Sequence, residues 1–308
     1  MNKKFHFFID DVIWSLRDLT RIKPQSMFDI PFFKVLKNAH DRYGMKVQLN
    51  LFYRTSAYYG NDDFCLADVT DDYKNEWENC SDWLKLAFHA KEEFPEYPFI
   101  NAKYKDTVEQ CGAVENEVIR FAGKNTYTYC TCPHWNTVSR DGVKAMYECG
   151  IRMISSTAGE TFDFDEYKHR AVPGHDSRLL YNRQPEARLA SDNPEQTGDY
   201  LALCSYNHLT LEENNKYAYN TNCYIDKETG MAYKPFVHHC INALSYDEIA
   251  PWFENYLGDE YICLADHEQY FYEDYFNYQS DYAEKIYKMC ECAIENGYEF
   301  IFYEDMLP

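Results

Sequence analysis

The feature that most constrains this chain is a unit that recurs along it: an amphipathic helix ends in glycine and gives way at once to an apolar, strand-like run. It appears as Asp41-Arg42-Tyr43-Gly44 before residues 45–51, as Tyr147-Glu148-Cys149-Gly150 before 151–154, and as Glu295-Asn296-Gly297 before 298–303. A looser copy is Phe121-Ala122-Gly123 before 126–130. Glycine just past a helix end takes the left-handed conformation at no steric cost, so the chain can reverse into a strand. Strands fed by helices in this way are parallel, because a parallel pair needs a long crossover whereas an antiparallel pair needs only a turn.

The helices entering these turns carry apolar faces: Phe32, Phe33, Leu36 and Ala39 after Pro31, Val143, Met146 and Tyr147 after Asp141, and Ile286, Met289, Ala293 and Ile294 in the last. Further strands are predicted at 84–89, 200–206 and 261–265. The resulting seven or eight strands at βα spacing specify an α/β fold, a parallel barrel or a strongly curved parallel sheet. Residues 1–308 read as one such domain. Between 159 and 231 the rhythm is lost, and turn signals at Pro173-Gly174, Asn193-Pro194 and Lys227-Glu228-Thr229-Gly230 mark an irregular β-rich insertion or elaborated loop region.

Charge excludes some partners. The chain has 51 acidic against 30 basic residues, a formal −21 that repels phosphate backbones and anionic membrane surfaces, so nucleic acid and membrane are not expected partners. No apolar run is long enough to span a bilayer. The 12 cysteines are scattered, with no CxxC pair and no signal peptide ahead of them, which points to reduced thiols in the cytoplasm. The CxC pairs Cys130/Cys132 and Cys290/Cys292 read as packing: the first shares one strand face, the second diverges around a helix.

Several strand-like runs end in polar residues. Lys4-Phe5-His6-Phe7-Phe8-Ile9 runs into Asp10-Asp11, 84–88 runs into His89, and 261–265 runs into Asp266-His267. Strand carboxyl ends share one face of a parallel barrel, so Asp10, Asp11, His89, the His134 region and His267 converge there. Adjacent Asp10 and Asp11 cannot both be buried on one side of a regular strand, so the backbone must turn there. Asp and His suit a divalent ion such as zinc, with a position left open for water. In His89-Ala90-Lys91-Glu92-Glu93 the ends are four apart, which on a helical turn puts His89 and Glu93 on one face, able to join Asp11 at one ion; otherwise Glu92 and Glu93 form a solvated acidic face. For His267, Asp266 or Glu268 could orient the imidazole and raise its pKa toward that of a general acid. Trp135, beside His134, and Tyr53 could stack on a sugar face, and Trp14 is expected in the core. Aromatics are 18% of the chain, with 29 Tyr, which suits a polyhydroxylated ligand or reflects Tyr used as a generic large residue. His6 is expected to pack inside the first strand and His238-His239 to be structural. No GxSxG elbow, glycine-rich phosphate cradle or nucleophilic cysteine with a legible partner is present.

With an early strand ending in Asp10-Asp11, a strand ending in His89 within a short ligand motif, an aromatic-rich Cys132-Pro133-His134-Trp135 and a late strand ending in His267, the chain resembles the polysaccharide deacetylase (NodB-like) superfamily of carbohydrate esterases. The resemblance implies a distorted (β/α)7 barrel, Asp10 as catalytic base, Asp11 and His89 as metal ligands, and His267 as the acid that protonates the leaving amine. It implies a metal-dependent hydrolase of an N-acylated carbohydrate or related small amide. Two motifs depart from the pattern: Glu93 stands where the family has a second histidine four residues on, and His134 where it has an arginine. Two other readings remain: a metal-independent glycoside hydrolase using Asp10 or Asp11 with Glu268, and a catalytically silent carbohydrate-binding barrel.

Overall fold

A computed structural model describes residues 3–55, 62–94, 98–99, 102–136, 138–155, 161–163, 200–202, 223–234 and 238–307. In chain order the elements are β1 (Lys3–Val12), α1 (Trp14–Ile22), α2 (Pro31–Tyr43), β2 (Val47–Phe52), α3 (Lys74–Asn79), β3 (Leu84–Ala90), α4 (Tyr104–Ala122), β4 (Cys130–Thr131) and α5 (Arg140–Glu148). There follow β5 (Met153–Ser155), β6 (Thr161–Asp163), β7 (Tyr200–Ala202), β8 (Tyr224–Ile225), β9 (Ala232–Lys234), β10 (His239–Cys240), α6 (Tyr246–Glu254), β11 (Tyr261–His267), α7 (Tyr282–Glu295) and β12 (Tyr298–Ile301). Gly44, Gly123, Gly150 and Gly297 all hold positive φ, so each helix-to-strand reversal expected from the glycines is made.

The fold is α/β with mostly parallel strands. One run orders β10-β11-β1-β2-β3, and a second orders β4-β5-β9 with β8 antiparallel at its end. A parallel bridge from Leu86 to Tyr127 joins β3 to the segment leading into β4. β1 pairs with β11 over Lys4 to Asp10, with β12 over Lys3 to His6, and with β2 over Phe8 to Val12. A strand has two edges, so β12 and β2 share one edge of β1 in succession, a departure from a regular βα repeat. In the 159–231 stretch, β6 pairs antiparallel with β7. The turn signals at Pro173-Gly174 and Asn193-Pro194, and residues 203–206 of the expected 200–206 strand, lie outside the described residues.

Both faces of the strands are buried, and their alternation divides the core in two. Phe5, Phe7 and Ile9, Val47, Leu49 and Leu51, Leu84, Leu86 and Phe88, and Ile262 and Leu264 face the helices in one large cluster. The opposite parity forms a second cluster of Phe8, Cys130, Cys132, Met153, Tyr261, Cys263, Ala265, Ile301 and Tyr303. Cys130 and Cys132 thus pack as small apolar groups, and His6 packs its ring 3.8 Å from that of Tyr303. The expected apolar faces of α2 and α5 are buried at Phe32, Phe33, Leu36, Ala39, Val143 and Met146, and Trp14 lies in the core. In helix α7 Cys290 and Cys292 are both buried, as expected of packing residues, whereas Ile294, a further 100° around the helix from Ala293, departs from the expected apolar face and is 42% exposed.

The carboxyl end of β11 is tied to the start of α1 by Glu268. Its carboxylate accepts hydrogen bonds from the main-chain N–H of Ile13 at 2.7 Å and of Trp14 and Ser15 at 2.8 Å. Helix α1 has no side-chain cap of its own, so this buried carboxylate takes that role from across the sheet and meets the positive end of the helix dipole. Glu268→Ala strands those N–H groups and is expected to destabilise the fold by roughly 3 kcal/mol in urea unfolding, whereas a loss under about 0.5 kcal/mol would contradict the clamp.

Candidate metal centre

The inner-facing parity of the strands delivers polar side chains at its carboxyl end: Asp10 from β1, Asn50 from β2, His89 from β3 and His267 from β11. Asp10 and His267 stand opposite each other in the β1–β11 register. Regular alternation would send Asp11 to the helix side. Instead Asp11 holds φ at 62°, and the β1–β2 register shifts between Ile9 and Val12, so a bulge turns its carboxylate inward. Aspartate is one of the few residues that tolerates this left-handed conformation.

Asp11 Oδ1 lies 3.1 Å from His89 Nε2 and 3.3 Å from His134 Nδ1, and those two nitrogens are 3.0 Å apart. The outer nitrogens decide the tautomers. His89 Nδ1 meets the Cys132 carbonyl, and His134 Nε2 meets the Glu93 carbonyl at 3.1 Å. A carbonyl only accepts, so each of these outer nitrogens carries the N–H. Two imidazole lone pairs and a carboxylate oxygen therefore face one another with no donor among them. Such a set is repulsive until a cation or a proton sits inside it. Asp11, His89 and His134 are all buried, and their donor atoms form a cluster suited to a metal ion. Their spacing is close to the edge of a tetrahedron with ligand bonds of ~2.0–2.1 Å, roughly 3.3 Å. The outward N–H of each imidazole, fixed on a carbonyl, is the support that metal-binding histidines use. The residues fit a divalent ion.

Surrounding groups position these atoms. Gln269 Nε2 donates to Asp11 Oδ2 at 2.6 Å. Asn50 Nδ2 donates to Asp10 Oδ1 at 2.6 Å, and Gln48 Nε2 donates in turn to Asn50 Oδ1 at 2.7 Å and to the Cys130 carbonyl at 3.0 Å. Burial, helped by the Asp11 charge, pushes the Asp10 carboxyl up to about 7 against the pull of His89 and of the Asn50 and Cys132 hydrogen bonds. Against the effect of burial, His134 and His89, once protonated toward it, hold Asp11 well below the usual carboxylate range.

Glu93 and His134 differ from their expected parts. Residues 91–93 form a bend, not a helical turn, so the spacing of four does not align the Glu93 carboxylate with His89. Glu93 enters the cluster through its main-chain carbonyl. His134, expected to meet substrate, supplies the third donor atom from the turn after β4. Trp135, at φ 60°, sets its ring edge-on to His134 with centroids 5.9 Å apart.

Neither acid expected to orient His267 does so. The His267 ring instead meets Asn242, with Nδ1 and Oδ1 3.1 Å apart, and burial pushes this imidazole down to about 4. Asp266 Oδ1 accepts from the main-chain N–H of His267 at 2.8 Å, on the side of the sheet that faces Tyr282 and Lys285. Glu268 is engaged by the start of α1, so it is not placed as the second carboxylate of a glycoside hydrolase with Asp10 or Asp11. Gln48, Asn50, Asn242 and Gln269 were not singled out from the sequence. For Gln48 and Asn50 a signal existed: two amides at alternate positions of an otherwise apolar strand, Val47–Phe52.

No protein-family profile and no curated protein matches the chain by sequence. Among solved structures, 4-alpha-glucanotransferase from Thermococcus litoralis aligns over 99% of this chain at 11% identity and a TM-score of 0.53. The two share a fold. The chain spans 40% of that enzyme's length. A peptidoglycan N-acetylglucosamine deacetylase aligns at 10% identity over 99% of this chain and 87% of its own, with a TM-score of 0.43. A CE4 family pseudoenzyme from Bacillus anthracis aligns at 12% identity over 100% of this chain and 66% of its own, with a TM-score of 0.41. Likenesses at those two scores are too loose to bear on function. Among the described residues no helix is long and apolar enough to cross a membrane.

Burial pushes the Asp266 carboxyl from its ordinary 3.8 up to about 8. The unfolded chain releases this proton near the lower value and the folded chain near the higher. This group's contribution to stability is therefore complete in acid and is lost as pH climbs between the two, by about 1.4 kcal/mol per unit. Asp266→Asn has no such loss. Its stability relative to the parent, measured by urea unfolding, is expected to improve by a few kcal/mol from pH 5 to pH 8; a difference independent of pH would contradict the raised value.

Proposed function

We propose that this chain is a divergent member of the polysaccharide deacetylase superfamily, a metal-dependent hydrolase that removes an N-acyl group from a carbohydrate. In this reading Asp11, His89 and His134 hold a divalent ion, zinc by preference because two of the three donors are imidazoles. The observation that supports it most is the meeting of three buried acceptor atoms at 3.0–3.3 Å with both histidine tautomers set to present lone pairs. When bound, such an ion polarises a carbonyl and acidifies water.

The remaining work falls to the protein's own groups. Asp10, steadied by the Gln48–Asn50 amide chain, accepts a proton from the attacking water. Its value near neutrality suits a base that must also release that proton. His267 holds its Nδ1–H on Asn242, which sets the orientation of the ring. The imidazole is neutral at rest, and negative charge developing beside it raises its basicity, so that it takes up the proton Asp10 removed from water and passes it to the leaving amine, which returns Asp10 to its carboxylate. Trp135 offers a ring face to the sugar.

Zinc-loaded protein is expected to release acetate from N-acetylglucosamine oligomers. Asp10→Asn should keep its zinc and lose at least about 100-fold in kcat. Full activity in that variant, or equal activity in chelated and zinc-loaded protein, would contradict the assignment.

A further inference from the structure

Gln269 sits against the proposed ligand Asp11 with half of its amide uncommitted. Asp11 Oδ2 can only accept, so the amide must turn Nε2 toward it, at 2.6 Å, which leaves Oε1 on the other arm as an acceptor. The residue is 4% exposed, and no described residue donates to that oxygen. The turn that carries it is anchored on both sides: Glu268 clamps the start of α1, and the Gln269 carbonyl accepts from the Tyr272 N–H at 3.1 Å. A buried acceptor held one amide width from the Asp11 carboxylate awaits a donor.

We infer that Gln269 Oε1 accepts the N–H of the substrate's secondary amide, which makes Gln269 a specificity-determining residue that selects N-acyl over O-acyl substrates. The inference rests on the function proposed above and narrows its substrate class. A secondary amide bound beside Asp11 brings a proton to Oε1, and an ester of the same shape brings a second acceptor. A site that has buried a partner for a substrate N–H rejects the analogue lacking it far more strongly than an apolar pocket rejects a change of size. Nε2 and Oε1 thus serve two neighbours through one rigid group, orienting the carboxylate and reading the substrate.

The test uses two methyl glycosides of equal shape, one 2-acetamido and one 2-O-acetyl. Their binding to zinc-loaded protein is measured by calorimetry in an Asp10→Asn background that prevents turnover, with the zinc content of every variant determined. With Gln269 present the amide is expected to bind at least about tenfold more tightly than the ester. Gln269→Leu should bring the two within about threefold. Equal binding of both glycosides by protein containing Gln269, or an undiminished preference in Gln269→Leu, overturns the inference; the first of these would mean that water alone meets Oε1. A preserved binding preference with no hydrolysis of either compound by zinc-loaded protein containing Asp10 would instead overturn the hydrolase reading and leave the amide recognition standing.

Discussion

A strand presents neighbouring side chains to opposite faces, yet Asp10 and Asp11 both reach the inner side of this sheet, because β1 bulges and Asp11 takes a left-handed backbone. The rest of the site depends on that exception. It lets one carboxylate stay in register with His267 while the next turns to meet His89 and His134. Without the bulge Asp11 would lie among the helix-facing residues around Ile9 and Leu49, where a charged carboxylate has no partner.

The inner face is apolar only in part. Its lower layer is narrow and small, with cysteines, alanine and methionine around Phe8 and Tyr303, while the upper layer is a polar network in which each part fixes the next. Gln48 holds Asn50 and Asn50 holds Asp10, while Gln269 holds Asp11 and two main-chain carbonyls hold the histidine tautomers. Buried networks of this kind rigidify a site only when most of their members are satisfied. Gln48 Oε1 is left over deep in the network, and beside Asp11 the converging lone pairs and Gln269 Oε1 are atoms that a cation and a substrate donor would complete.

Much of this was legible in the sequence. The helix–glycine–strand units gave away the parallel order, and polar residues at strand carboxyl ends identified Asp10, Asp11, His89 and His267, because both patterns are local and periodic. What escaped were the contacts that depend on loop conformation. The spacing of His89 and Glu93 suggested a helical turn, but the chain bends there, and His134 arrives from the loop after β4 with a nitrogen in the place expected of Glu93. The chain neighbours of His267 include two acids, Asp266 and Glu268, yet its ring meets Asn242 on a separate segment. Glu268, equally plausible from its position, is spent on the first turn of α1. No periodicity encodes such long-range choices between an acid and an amide.

The most direct test is anomalous diffraction at the zinc edge from crystals of the zinc-loaded protein. Expected is a single strong peak bounded by Asp11 Oδ1, His89 Nε2 and His134 Nδ1, lost in crystals of His134→Ala. A peak that recruits the Glu93 carboxylate while His134 stays apart, or no peak at all between Asp11 and the two imidazoles, would contradict the centre described here.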